Sequence, residues 1–207
     1  MLFLPPHVAP RQPPLDLKGR RDGLSWSDAR LVRGCVRGSE NAWAALLEKY
    51  KNLIFSIPVR QGIPRDDAAD IFQRVCVLLL AELKHLRQPA ALPMWLIRVT
   101  SHECLRWHRQ ERSRASQYAE ETPLTPDDAL LPDEVVARIK EEQMLREAIE
   151  ALAPRCREVI QMLFFETPAR PYEDVARSLG LATGSIAFIR GRCLTRLRRQ
   201  LEKMGFR

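Results

Sequence analysis

Tyr172-Glu173-Asp174-Val175-Ala176-Arg177-Ser178-Leu179-Gly180-Leu181 runs directly into Ala182-Thr183-Gly184-Ser185-Ile186-Ala187-Phe188-Ile189. Val175 and Leu179, four residues apart, share one face of a helix. Gly180 stands where the chain must turn, and a left-handed backbone favours glycine there. Thr183 or Ser185 is placed to cap a second helix, whose Ile186 and Ile189 pack back on the first. Ala176 is small, as it must be where the second helix crosses close. These positions fit one another throughout the stretch and predict a helix-turn-helix.

The charge downstream adds to this. Residues 185–207 hold Arg190, Arg192, Arg196, Arg198, Arg199, Lys203 and Arg207 against Glu202 alone. At about 100° per residue, Ile186, Ile189, Cys193, Leu197 and Leu201 form the predicted buried stripe. The opposite face presents Ser185, Phe188, Arg192, Thr195, Arg196 and Arg199. Arg190 falls at the buried edge and has to snorkel to water or phosphate. A recognition helix puts its N-terminal residues on base edges. Ser185 and Phe188 are therefore base-contact candidates, with Phe188 able to touch a thymine methyl. Arg192 reaches a guanine edge or a phosphate, and Arg196 and Arg199 suit phosphates. The plain alternative, an αα-hairpin with no DNA role, leaves this one-sided charge unexplained.

The 207 residues suffice for one large domain or two small ones. Apolar residues make up 45% and charged residues 29%, enough for a buried core. No apolar run approaches the roughly 20 residues of a membrane span. Met1-Leu2-Phe3-Leu4 is stopped by Pro5-Pro6, so neither membrane insertion nor a signal peptide is expected, and a cytoplasmic protein is. The net charge of +7 makes phosphate polyanions plausible partners. Cys35, Cys76, Cys104, Cys156 and Cys193 are scattered, odd in number and form no C-x-x-C pair. That pattern predicts reduced thiols, with neither a disulfide framework nor a zinc ribbon.

Charge also divides the chain. Residues 25–114 carry a net +6, residues 115–143 a net −6 and residues 144–207 a net +5. The expected organisation is a flexible proline-rich tail over 1–24, a helical domain over 25–114, an acidic linker over 115–134 and a second helical domain over 135–207. No strand signal of strength is present. The predicted fold class is all-α, with two small helical domains on a flexible acidic linker.

In the first block, Ser25 or Ser27 can cap a helix through Leu31, Val32 and Cys35, and Ser39 can cap the next. That next helix carries Trp43, Leu46, Leu47, Tyr50, Leu53, Ile54 and Ile57 on one face. A third helix opens at Asp66-Asp67, whose carboxylates suit the positive end of its dipole. Ala68, Ile71, Phe72, Val75, Cys76 and Leu79 face inward, leaving Asp70, Gln73 and Arg74 on one polar surface. A further helix opens at Pro93. There Arg98, His102, Arg106, Arg109 and Arg112 recur every three or four residues, with Trp95, Trp107 and His108 among them. Such a face suits single-stranded nucleic acid, or is a solvated basic face with its tryptophans in the core. His102, Glu103, Cys104 and His108 match no metal-ligand spacing, and no cofactor is expected.

From about Ser27 to Met204 the whole pattern resembles a bacterial RNA polymerase sigma factor of the small extracytoplasmic-function (ECF) type, with regions 2 and 4 only. Region 2 is matched through Asn41-Ala42-Trp43-Ala44-Ala45-Leu46-Leu47-Glu48-Lys49-Tyr50, then Asp67-Ala68-Ala69-Asp70-Ile71-Phe72-Gln73, then Trp95-Leu96-Ile97-Arg98-Val99. Region 4 is matched through Leu152-Ala153-Pro154-Arg155-Cys156-Arg157-Glu158-Val159, the helix-turn-helix, and Arg190-Gly191-Arg192-Cys193-Leu194-Thr195-Arg196-Leu197-Arg198.

The resemblance implies a non-enzymatic protein that binds core RNA polymerase and directs it to promoter DNA. Asp67, Asp70, Gln73 and Arg74 would dock on the clamp of the largest polymerase subunit, and region 4 on the flap of the second. Arg98, His102, Arg106, Arg109 and Arg112 would melt and hold the minus-ten element. Thr183, Ser185, Phe188, Arg190, Arg192, Arg196 and Arg199 would read the minus-thirty-five element. An anti-sigma factor is a further implied partner. The chain departs from the family at His102 and Arg106, where Asn and Asp are frequent, and at Ala187-Phe188-Ile189, where a basic-Ser-Arg run is frequent. Promoter sequences therefore do not carry over. The competing expectations are a helix-turn-helix regulator that acts without polymerase, and a hydrolase built on His102, Glu103 and Cys104.

Overall fold

The computed structural model describes residues 26–115 and 131–206. The proposed tail over 1–24 and most of the proposed linker lie outside the described residues. Those described form an all-α protein of eight α-helices joined by turns and short 3-10 segments, without strands.

The first unit opens with α1 (Asp28–Val36) and α2 (Glu40–Arg60). Ser27 and Ser39 cap them, each side-chain oxygen accepting a backbone N–H from the first turn (Arg30 N at 3.4 Å, Ala42 N at 3.3 Å). The two helices cross tightly. A Cβ placed on Gly34 would lie 2.6 Å from Ala42 Cβ, so a side chain at that position would force them apart. α3 (Arg65–Glu82) carries Asp66 and Asp67 in its first turn, and α4 (Leu92–Ala115) follows a 3-10 turn at Pro89–Ala91. Leu31, Leu46, Leu53, Ile54, Ile57, Ile71, Leu79, Leu92 and Leu96 are fully buried in one core. Phe55 and Phe72 stack at 4.7 Å between α2 and α3. Burial pushes the Cys35 and Cys104 thiols up to about 12, so both stay protonated.

α5 (Asp133–Glu150) joins the two halves. Residues 133–143, whose acidity groups them with the connector, are helical here. Ile139 sits in the first core with Leu131, Val135 and Val136 against it, whereas Ala148 and Ile149 belong to a second core. Polar contacts reinforce the first attachment. Lys49, its side chain 6% exposed, pairs with Asp28 at 2.7 Å and with Glu147 at 3.2 Å. Gln143 Nε2 donates to the Lys49 carbonyl (3.1 Å), and Arg60 donates to Glu142 (2.6 Å). Tyr50 Oη donates to the same Asp28 oxygen (2.6 Å); burial, with that carboxylate beside it, pushes the phenol far above its usual range.

The second unit holds α6 (Pro154–Phe164), α7 (Tyr172–Leu179) and α8 (Ile186–Lys203). One apolar cluster joins α5, α6 and α8; another joins α6, α7 and the start of α8, and Ile189 packs on both. Gly180 ends α7 at φ 61°, ψ 41°, and Ala176 is buried under α8, as the pattern predicts.

Two expectations are overturned here. Cys156 and Cys193 are not free thiols: they form a disulfide between α6 and α8, their Cα atoms 5.2 Å apart. They stand 37 residues apart in sequence, and only the packing of the two helices brings them together. Nor does Thr183 or Ser185 cap α8. A 3-10 turn over Thr183–Ser185 precedes it, and Ser185 Oγ donates to the Ala182 carbonyl (2.6 Å) instead.

Candidate nucleic-acid and partner interface

The exposed half of α8 makes the first surface. Ala187, Phe188, Gly191, Arg192, Thr195, Arg196 and Arg199 line one open groove. Their spacing explains this: Ile186, Cys193 and Leu197 are drawn into the core, which turns the opposite stripe outward. Phe188 is 67% exposed, with no apolar residue covering its ring. The Arg192 guanidinium lies 5.6 Å from its centroid, so cation and ring form one amphipathic patch. Among the described residues, Arg192, Arg196 and Arg199 have no carboxylate within ion-pair distance, whereas Arg198 pairs with Glu202. Thr183 is exposed and Ser185 half-buried at the head of this face. Arg190 does not join it. Its Nη1 donates to Tyr172 Oη (2.6 Å), which ties α8 to the start of α7.

The second surface is the outer face of α4. Arg98, His102, Arg106, Arg109 and Arg112 are all exposed. Trp95 and Trp107 are half-buried against the first core, so the structural role open to them is filled. His108 meets the edge of Trp107, and burial together with the Arg112 charge holds its pKa below the usual histidine range. Arg98, Arg109 and Arg112 have no ion-pair partner among the described residues, but Arg106 Nη1 lies 3.1 Å from Glu103.

The third surface is a groove between α3 and α4. Asp70, Gln73, Arg74, Val77, Leu78, Glu103 and Arg106 line it. Asp70, Gln73 and Arg74 come together as their spacing predicts; Asp67 is half-buried in the first turn of α3, outside the lining. Two further features stand out: an apolar run that was not singled out from sequence, and Glu103, which the sequence offered only as a metal or hydrolase candidate. Val77 is 67% and Leu80 64% exposed, and Leu78 between them is 37% exposed. The signal was present: four apolar residues in succession, Val77 to Leu80, cannot all lie on one face of a helix, so some must meet solvent or a partner. The other feature is Glu103, a carboxylate 4% exposed whose two oxygens face Arg74 and Arg106. Among the described residues no three His, Cys, Asp or Glu side chains converge as a metal site would need, and no helix is long and apolar enough to cross a membrane.

Fold and surfaces together define a helical protein with an outward basic helix in each half and a helix-turn-helix in the second. Residues 46–114 match the family model for Sigma-70 region 2, a stretch that takes in most of α2, all of α3 and nearly all of α4. The second and third surfaces lie within it. A solved structure described as CnrH in complex with the cytosolic domain of CnrY is similar at 19% identity and a TM-score of 0.38, over 86% of this chain and 99% of that one. No curated protein matches.

Proposed function

We propose that this chain is a sigma factor of the ECF type, carrying region 2 in α1–α4 and region 4 in α6–α8. The observation that carries the reading is the coincidence of the Sigma-70 region 2 match with two adjoining surfaces of different chemistry. One, on α3, is a mixed polar and apolar groove suited to protein. The other, on α4, is a row of unpaired arginines suited to phosphates. Asp70, Gln73 and Arg74, with Asp67 at the start of α3, dock on the clamp of the largest polymerase subunit. Arg98, His102, Arg109 and Arg112 hold the opened minus-ten strand; Arg106 shares their face with its charge matched by Glu103.

Region 4 engages the minus-thirty-five duplex through α8. Ser185 and Phe188 meet bases at its N-terminal end, Arg192 meets a base or a phosphate, and Arg196 and Arg199 meet phosphates. Thr183 sits at the entry turn. Arg190 acts indirectly, by fixing α8 against Tyr172. Extruding minus-ten bases costs a few kcal/mol, which strand contacts offset only once duplex binding and polymerase have placed the strand. The protein works in the cytoplasm, on promoter DNA, with an anti-sigma factor as a further partner.

Transcription reconstituted with core polymerase tests this. Start sites absent with core enzyme alone are expected on addition of the chain. A tight gel shift by the isolated chain, with no new starts, would instead mark a helix-turn-helix regulator that acts without polymerase.

A further inference from the structure

The carboxylate of Glu103 belongs to two surfaces at once. It projects from α4 and is 4% exposed, inside the groove that Asp70, Gln73 and Arg74 line from α3. Oε1 accepts from Arg106 Nη1 at 3.1 Å. Oε2 lies 3.1 Å from Arg74 Nε, an ion pair, yet no donor is aligned on it as a hydrogen bond. Burying an anion costs several kcal/mol unless its partners are well placed, and an apolar residue would fill the space without that cost. A carboxylate in this place, with one oxygen incompletely satisfied, points to a role besides packing.

Geometry supplies one. Arg106 stands in register with Arg98, His102 and Arg109 on the outer face of α4, where a strand's phosphates would run. Its guanidinium is paired with Glu103 on the side toward the α3 groove, while the side chain itself stays 65% exposed. Arg74, on the opposite side of the same carboxylate, is part of the docking surface. Within the sigma-factor reading, we propose that Glu103 is a positioning residue that withholds Arg106 from the nucleic-acid strand and ties it to Arg74. The basic track on α4 is thereby interrupted in its middle, and the polymerase-facing and strand-facing sides of the first unit share one carboxylate.

Counterion release reads this directly. Each cation that gains a phosphate on a single strand steepens the slope of log K against log salt by about 0.7. The full-length chain, free and loaded on core polymerase, is titrated with a labelled single-stranded oligonucleotide over a range of salt. Glu103→Gln is expected to bind more tightly at low salt and to steepen the slope by about 0.7. Adding Arg106→Ala to that variant is expected to remove the increment. A merely structural role for Glu103 would weaken binding without adding a counterion. An unchanged slope in Glu103→Gln, or an increment that survives Arg106→Ala, overturns the proposal.

Should Glu103→Gln fail to fold, Arg106→Ala in the parent decides. Its slope is expected to flatten by well under one phosphate's worth, and a loss of the full 0.7 or so overturns the proposal. If no form of the chain binds the strand, the sigma-factor reading fails and takes the proposal with it. Strand binding with the wrong slopes removes the proposal alone.

Discussion

Arg192 and Phe188 sit one helical turn apart on the exposed side of α8, cation beside ring. If Arg192 reads a base, Arg192→Ala should cost about 1–3 kcal/mol of discrimination between promoter and mismatched duplexes. Competition binding by the polymerase complex measures this, and an equal loss on every sequence would make Arg192 a phosphate contact. Asp70 stands exposed on the α3 groove. Asp70→Ala should weaken retention on immobilised core polymerase while leaving the rank order of DNA sequences intact; undiminished retention would remove Asp70 from the docking surface. His108 offers a pH readout. Burial and the Arg112 charge lower its folded pKa, so the unfolded chain takes up the proton more readily. Stability is therefore lost as pH falls through the histidine range, and neutral or higher pH is free of this penalty. Urea unfolding should show His108→Gln gaining on the parent only at mildly acidic pH.

At the scale of elements, the helix-turn-helix depends on its turn. Gly180 has φ 61°, and a side chain there would find open space but a disfavoured backbone. Gly180→Ala should lower the stability of the second unit by about 1–2 kcal/mol, and Gly180→Asn by less. Thermal unfolding followed by circular dichroism checks both, and equal stability of all three chains would mean that the turn relaxes. α8 shows how far a helical wheel reaches. Its buried stripe followed from spacing, because a period of 3.6 residues leaves Ile186, Cys193 and Leu197 no other face. The partner of Arg190 was not legible: Tyr172 lies 18 residues away and meets it only after α7 and α8 have packed. The cap failed for a related reason. A hydroxyl at the right spacing caps only if the preceding backbone is extended, and Ser185 adopts helical angles instead.

For the whole molecule, α5 is the element that makes two units one structure. Lys49 gathers Asp28 from α1 and Glu147 from α5 around a single ammonium, with Tyr50 sharing Asp28. Removing the cation leaves two carboxylates facing each other near the core. Lys49→Ala should therefore destabilise the chain by about 3 kcal/mol, the low end for a broken buried pair because both carboxylates keep some solvent. Urea unfolding measures this, and a loss within about 0.5 kcal/mol, typical of an exposed pair, would show that solvent already screens the network.

The helices apart from the start of α5, their apolar stripes, the left-handed turn at Gly180 and the basic faces of α4 and α8 were determined by the sequence alone, because each is a matter of period and local backbone preference. Spacing already set Glu103 beside Arg106 and Glu202 beside Arg198, three and four residues apart on one helix. Tertiary structure decided the rest: Arg74 comes from α3, and only the packing of α3 on α4 sets it beside Glu103. The disulfide between Cys156 and Cys193, and the Lys49 network that pins α5, were decided in the same way. A pairwise contact across tens of residues has no periodic signature, since its distance exists only once the helices have docked.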